Sequence, residues 1–182
     1  MKKTFTALDL TYCAACAALM AVCSWISIEV GPVPFTLQTF AVFLTLLLLG
    51  GKRGTMSILV YILLGAIGVP VFAGFSGSLS ALLGTTGGYI IGFLAAGLIY
   101  WLVTALLGEK LVVQAAAMVL GNLVCYAIGT VWFVEVYSAT NGAVGFAMVL
   151  SWCVVPYIVP DAVKLVLALA LGKRLRKILW KR

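Results

Sequence analysis

The sequence has no histidine and very few charged residues. Only five of its 182 residues are acidic, and charged residues make up 9% of the chain, against about 25% in typical soluble domains. A zinc site of the usual Cys/His kind and catalysis by a histidine base are therefore not expected. We predict a protein that is not an enzyme and that carries no catalytic residues, no metal and no cofactor.

Apolar residues take the place of the missing charge. They make up 64% of the chain, and the mean hydropathy is +1.21. A membrane-spanning helix needs about 20 apolar residues, so a chain of this length has room for about six and little else. We predict an all-α membrane protein with one embedded domain over residues 1–182 and no separate catalytic or nucleotide-binding domain.

Six apolar segments predict six transmembrane helices. The second and third are short, but a re-entrant hairpin in their place would leave Lys52 and Arg53 in hydrocarbon, so two short spans are expected. The first segment is longer than the apolar core of a signal peptide, and we expect it to be retained as a helix. The segments are approximately 7–28, 37–49, 55–69, 86–107, 111–133 and 145–172.

The basic residues are distributed unevenly between the predicted loops. Eleven of the twelve lie on one side: Lys2, Lys3, Lys52, Arg53, Lys110 and the six in the tail 173–182. The loops on the other side, around 29–36, 70–85 and 134–144, have none. The positive-inside rule therefore places both termini in the cytoplasm, where the tail is expected to contact anionic lipid and not nucleic acid.

The twelfth basic residue lies inside the last apolar segment, near an acidic one. Asp161 and Lys164 are three residues apart and share a helix face. Each charge costs about 2.5–3.5 kcal/mol in a bilayer on insertion scales, so both must face the bundle interior or water. The pair is either a structural contact or a ligand site. Pro156 and Pro160 favour a site because proline removes backbone donors and kinks the helix.

Two loops on the side without basic residues are unusual in composition. Residues 70–89 are rich in glycine but also apolar and aromatic, which indicates a lid over a site or a cap packed on the bundle. Residues 29–36 are stiffened by two prolines and lead into Gln38 and Thr39 at the mouth of a helix, where the two polar side chains either line a site or hydrogen-bond a neighbouring helix. On the fifth helix, Asn122 and Tyr126 are one turn apart, and interhelical hydrogen bonding is the default role of such an Asn.

Small residues mark the first helix. Ala14, Ala17, Ala18 and Ala21 are spaced to form one face that another helix can approach closely, inside the bundle or on a partner.

All five cysteines lie in apolar runs. We predict packing roles for them, and this includes the CxxC of the first helix. The cysteines are Cys13, Cys16, Cys23, Cys125 and Cys153.

Three separated motifs resemble the BioY family, the biotin-binding S components of energy-coupling factor transporters. Gly31-Pro32-Val33-Pro34-Phe35-Thr36-Leu37-Gln38-Thr39 is similar to that family's first loop and entry to helix 2. Gly68-Val69-Pro70-Val71-Phe72-Ala73-Gly74 with Gly84-Thr85-Thr86-Gly87-Gly88-Tyr89 is similar to its long glycine-rich loop. Asp161 and Lys164 match its Asp-x-x-Lys on helix 6. The resemblance covers nearly the whole chain.

The resemblance implies capture of biotin from outside the cell, and delivery with a transmembrane T subunit and two cytoplasmic ATPases. It gives Ala14 and Ala18 a role in docking the T subunit. Biotin offers ureido N–H donors, a carboxylate and an apolar ring between them, so Asp161 is expected to accept from the ureido group and Lys164 to meet an anionic or carbonyl oxygen. Secondary candidates for binding are Tyr89, Asn122, Gln38 and Thr36, with Phe72 and Phe75 over the ring and Gly87 in the loop.

Three other functions stay open at this stage. An S component for another vitamin would keep the architecture, although thiamine would call for an anionic aromatic cage, and the acids outside or within the membrane are Glu29, Glu135 and Asp161. A small intramembrane enzyme would need clustered carboxylates, a histidine or a metal. A structural membrane partner would bind no small molecule.

Overall fold

Helices account for most of the protein. The computed structural model describes residues 6–29 and 31–179, so the predictions for Lys2, Lys3, Lys181 and Arg182 lie outside the described residues. The elements in chain order are α1 (Ala7–Trp25), β1 (Ser27–Ile28), β2 (Phe35–Thr36), α2 (Gln38–Ala66), a 3₁₀ turn (Ala73–Phe75), α3 (Leu79–Leu83), α4 (Gly87–Leu107), α5 (Leu111–Asn141), α6 (Phe146–Cys153) and α7 (Val155–Leu179).

Five helical stretches in the described residues are long and apolar enough to cross a membrane. They are α1, α2, α4, α5 and the stretch Phe146–Lys177 that contains α6 and most of α7. The prediction of an all-helical membrane protein is confirmed, apart from one two-stranded antiparallel pair in which Ser27 faces Thr36. Five stretches are found where six were predicted, because the second and third predicted segments both lie in the single stretch α2.

The α2 segment is a helical hairpin. Gly50, near its middle, has φ 76° and ψ 177°, a conformation that glycine adopts without the steric cost of a side chain. Gln38 Nε2 donates to Tyr61 Oη at 3.0 Å, although the two residues would be about 34 Å apart along a straight helix. The chain therefore folds back at Gly50, and the arms 38–49 and 51–66 lie side by side.

Two predicted boundaries in the second half of the chain are wrong. The fifth helix continues beyond residue 133 to Asn141, where its rings pack on α6 through the stacked pair Phe133–Tyr137 and the edge contact of Tyr137 with Trp152. Tertiary packing thus stabilises a helical conformation in residues 134–141, whose polarity suggested a loop.

The last predicted helix is two helices that meet at Val154. The break comes just before Pro156, which sits in the first turn of α7, where an N–H needs no helical partner. Pro160 lies inside α7, and the helix continues past it. The interruption therefore lies two residues before Pro156, one of the two prolines expected to kink the helix, and not at the other, Pro160.

Helix packing brings the beginnings of α2, α4 and α7 to one end of the bundle. α1 packs on α2, α2 also contacts α4 and α7, and α4 and α5 pack on each other extensively. The β1–β2 hairpin and residues 70–86 cover this end. At the opposite end, ion pairs join Asp9 to Arg53 at 3.0 Å and Glu109 to Arg176. The ends thus differ in charge, and the loops without basic residues cover the end opposite these ion pairs.

Candidate ligand site

A cavity lies beneath the covered end, between α2, α4, α5 and α7. The space open to the centre of a water molecule is about 140 Å³, roughly ten times the volume that one water needs by this measure. The cavity therefore has room for a small organic molecule. Most of its walls are apolar or aromatic, and its lining includes Pro34, Phe72, Tyr89, Ile90, Phe93 and Tyr157.

Asp161 and Lys164 form a buried ion pair in the wall of this cavity. Lys164 Nζ donates to Asp161 Oδ1 at 2.7 Å, and each residue is 5% exposed. Tyr126 of α5 donates to the other carboxylate oxygen, Oδ2, at 2.5 Å. Lys164 Nζ also lies 4.3 Å from the centroid of the Phe35 ring, a favourable cation–π position. The carboxylate is thus held from both sides, and its charge is neutralised locally.

The proline loop, residues 31–36, rests on α7 next to the pair. Tyr157 Oη donates to the backbone oxygen of Val33, and the rings of Phe35 and Tyr157 stack with centroids 6.1 Å apart. Thr36 accepts a hydrogen bond from the backbone N–H of Gln38 at 3.2 Å, which fixes the entry to α2. This loop is therefore a wall of the site and not a free linker.

The glycine-rich loop, residues 70–86, is tied to the bundle at both ends. Ser24 and Tyr61 both donate to the oxygen of Val71, at 2.5 and 3.0 Å. At the far end, Trp132 of α5 donates to Gly84 at 2.9 Å. Phe72 turns inward between these ties and packs edge-on against Tyr61, with ring centroids 5.5 Å apart. The loop is thus a packed cover over the cavity.

Seven of the nine predicted ligand residues line this one cavity: Thr36, Gln38, Phe72, Tyr89, Asn122, Asp161 and Lys164. Phe75 does not line it. Its ring is on the outside of the loop, 65% exposed, and stacks on Trp25 at 5.0 Å. Gly87 is also absent from the lining. A Cβ at Gly87 would lie 1.7 Å from the backbone oxygen of Leu82, so this glycine allows α3 to pack against the start of α4.

Several residues that line the cavity were not among the nine predicted from the sequence. Tyr126 is one turn after Asn122, and Tyr157 is one turn before Asp161, so helical spacing from predicted residues was a signal that pointed to both. Cys125 and Cys153 also line the cavity, where the sequence indicated packing alone. No such signal marks residues 33 and 93, which reach the site through the tertiary fold.

The alanines of α1 do not form one face. Ala17 and Ala21 are buried in the bundle, whereas Ala14 and Ala18 are exposed on the outside of α1. The sequence pattern therefore combines an internal packing surface with an external one. The residues predicted for partner docking are the external pair.

One known family matches the chain over almost its whole length. The sequence profile of the BioY family matches residues 1–181. The chain belongs to the BioY family. It is 45% identical over 159 residues to a probable biotin transporter BioY of Pyrococcus horikoshii, covering 87% of this chain and 90% of the relative. It is 41% identical over 161 residues to the biotin transporter BioY of Thermotoga maritima, covering 88% and 91%.

A solved structure has the same fold. The crystal structure of the S-component for biotin from an ECF-type ABC transporter is 26% identical to this chain, with a TM-score of 0.81 over 96% of this chain and 95% of that one. The BioY resemblance expected from the sequence is thus confirmed. The relatives are named as transporters and not as enzymes.

Proposed function

We propose that this protein is a biotin-binding S component that captures biotin at the cavity containing Asp161 and Lys164. The observation that carries the proposal is the 2.7 Å pair of Lys164 Nζ and Asp161 Oδ1 in the wall of an otherwise mostly apolar cavity. Biotin transporters are its relatives at 45% and 41% identity.

The pair matches a ureido group better than a carboxylate. A carboxylate has about four lone-pair positions, so Asp161 keeps acceptor capacity after it binds Lys164 and Tyr126. Lys164 carries three N–H donors and uses one on Asp161. An acceptor beside a donor is complementary to the adjacent N–H and C=O of the ureido ring. We therefore assign both residues to that ring, with Asp161 accepting from N–H and Lys164 donating to the carbonyl.

The other residues that line the cavity are suited to contact the thioether ring and the acid chain of biotin. Phe72, Phe93 and Ile90 give apolar contact for the thioether ring, and Tyr89, Asn122, Gln38 and Thr36 are the neutral polar groups available to the acid chain. Thiamine fits less well. It is a cation, and the carboxylate in the lining is already neutralised by Lys164. Biotin is therefore the better match to the residues present.

Capture at this site requires the covered end to face outwards. We propose that the two arms of α2 are separate spans, which gives six crossings with both termini in the cytoplasm of a cell-membrane protein. The second arm begins with Lys52 and Arg53, just after the reversal at Gly50, on the side that the positive-inside rule assigns to the cytoplasm. Delivery of biotin would then require a T subunit, which docks on Ala14 and Ala18, and two ATPase subunits.

Calorimetric titration of the purified chain tests the binding site. We expect saturable binding of biotin and none of thiamine. Asp161→Asn should weaken biotin binding about ten- to hundredfold, because a hydrogen bond to a charged group contributes about 1.5–3 kcal/mol. Glu135→Gln is the matched control, since it makes the same change at an exposed acid of α5 and should leave affinity unchanged. Retention of affinity within about threefold by both Asp161→Asn and Lys164→Ala would refute the assignment.

A further inference from the structure

A second cavity lies at the basic end of the bundle, between the start of α5 and the end of α7. Its space, by the same measure as for the ligand cavity, is about 330 Å³, and its polar lining is Glu109, Gln114, Lys173, Arg176 and Lys177. Three cations and one carboxylate give this cavity a net positive charge. Glu109 is already paired with Arg176, so the two lysines carry the excess charge.

Gln114 is the feature that indicates a bound molecule. It is only 4% exposed, yet it lines the cavity, and its side-chain amide makes no hydrogen bond to any residue that the structure describes. The amide thus faces the cavity with hydrogen-bonding capacity that the described residues do not use, and a ligand oxygen there would accept a hydrogen bond from it.

The start of α5 adds further donors at the same place. Lys110, the N-cap residue, makes no side-chain capping bond, so the first-turn N–H groups have no capping side chain and carry the positive end of the helix dipole. Gln114 directly follows this turn, and its own N–H is occupied because it donates to the oxygen of Lys110 at 3.0 Å. Lysines, helix amides and a side-chain amide together are suited to a phosphate group.

Apolar surface next to the cavity indicates that the phosphate belongs to a lipid. Leu111 and Gly172 line the cavity, and their sequence neighbours Val112 and Leu171 are exposed large apolar residues of α5 and α7. A free anion would use the polar groups and leave this surface uncovered. A phospholipid would place its headgroup in the cavity and its acyl chains along α5 and α7.

We propose that this second cavity is a binding site for the phosphate headgroup of an anionic phospholipid. Gln114 and Lys173 bind the headgroup, and Lys177 adds charge at its edge. The proposal concerns residues that do not touch the biotin cavity, so it stands or falls separately from the proposed function.

Native mass spectrometry of the full chain in detergent tests this site, with phosphatidylglycerol or phosphatidylcholine added. We expect phosphatidylglycerol to bind at least fivefold more tightly. Lys173→Gln should weaken its binding roughly fivefold, as expected for one cation at a headgroup. Gln114→Glu should weaken it by at least as much, because it replaces a donor with an anion. Arg174→Gln is the matched control, since Arg174 is the next residue of α7 after Lys173 but does not line the cavity.

Three results would overturn the proposal. Equal losses in Arg174→Gln and Lys173→Gln would mean diffuse surface attraction. No loss in Gln114→Glu, with an unchanged Tm that shows intact folding, would remove the donor on which the site depends. Displacement of phosphatidylglycerol by excess inorganic phosphate would show that the cavity binds a free anion and not a lipid.

Discussion

At the scale of single residues, Tyr126 connects two helices through one contact with a carboxylate. Its hydroxyl holds Asp161 Oδ2 at 2.5 Å while Lys164 holds Oδ1. α5 and α7 make few other contacts, so this bond has a large share in setting the position of α5 relative to the carboxylate. Tyr126 is therefore a positioning residue for the group that we assign to biotin.

We predict that Tyr126→Phe weakens biotin binding about fivefold, because a net hydrogen bond contributes about 1 kcal/mol. Calorimetric titration measures the change. Tyr137→Phe is the control, since it removes a hydroxyl of α5 that makes no hydrogen bond within the described residues. Unchanged affinity in Tyr126→Phe, or an equal loss in both variants, would contradict the positioning role.

The residue scale also shows why sequence reasoning reached part of the site. Asp161 and Lys164 were identifiable because charge in an apolar helix is costly and must be compensated. Phe75 was placed over the ligand by the loop motif, but its ring stacks on Trp25 outside. Alternate residues of a loop can point either way, and only the ties at Val71 and Gly84 decide which aromatic ring turns inward.

At the scale of elements, the glycine-rich loop depends on one close approach between α3 and α4. A Cβ at Gly87 would overlap the backbone oxygen of Leu82 at 1.7 Å, and backbone cannot move aside as a flexible side chain can. Gly84, in the same loop, would place its Cβ 3.4 Å from the nearest backbone oxygens, an ordinary contact.

We therefore predict that Gly87→Ala loosens the loop and that Gly84→Ala does not. Hydrogen exchange of residues 70–86 should be faster in Gly87→Ala, because α3 must shift from the start of α4. Biotin affinity should fall as the inward position of Phe72 is lost. The same exchange rates in both variants would show that the contact does not hold the loop.

The hairpin in α2 is a second element-scale feature, and the sequence predicted it in part. Two short segments were separated by Gly50, Gly51, Lys52 and Arg53, and basic residues indicated a turn at a membrane surface. The predicted start of the third segment, residue 55, is later than the observed arm 51–66. Helix can continue through the basic residues because one glycine makes the reversal.

At the scale of the whole molecule, the six crossings that we propose imply different access to the two ends. All five cysteines are buried, so the unmodified protein should react little with a maleimide. We predict that Asn141→Cys reacts with a membrane-impermeant maleimide on intact cells, whereas Lys52→Cys reacts only after the membrane is opened.

Labelling of Lys52→Cys on intact cells would contradict the orientation. Failure of Lys52→Cys to react in opened membranes would contradict a surface turn between the arms of α2. Either result would require a different topology for the bundle, whose described residues contain five candidate spans by length and composition.

Assembly is also decided at the level of the whole molecule. Ala14 and Ala18 are exposed and Ala17 is buried, so added volume at the first two should not disturb the bundle. We predict that Ala14→Leu with Ala18→Leu keeps biotin affinity and loses co-purification with the T subunit. Ala116→Leu, on the exposed surface of α5, is the control and should keep both. Co-purification by the double variant would exclude this face as the docking surface.

The sequence by itself determined that the protein is helical and membrane-embedded, and it identified the family and the central ion pair. These properties follow from local composition, because hydrocarbon penalises each charge and each exposed backbone group wherever it occurs. The tertiary structure decided which loop residues face the cavity, which alanines face outwards and where α5 ends. The bond from Tyr157 to Val33 joins residues 124 apart, and contacts at such separation depend on how the helices pack and not on local pattern.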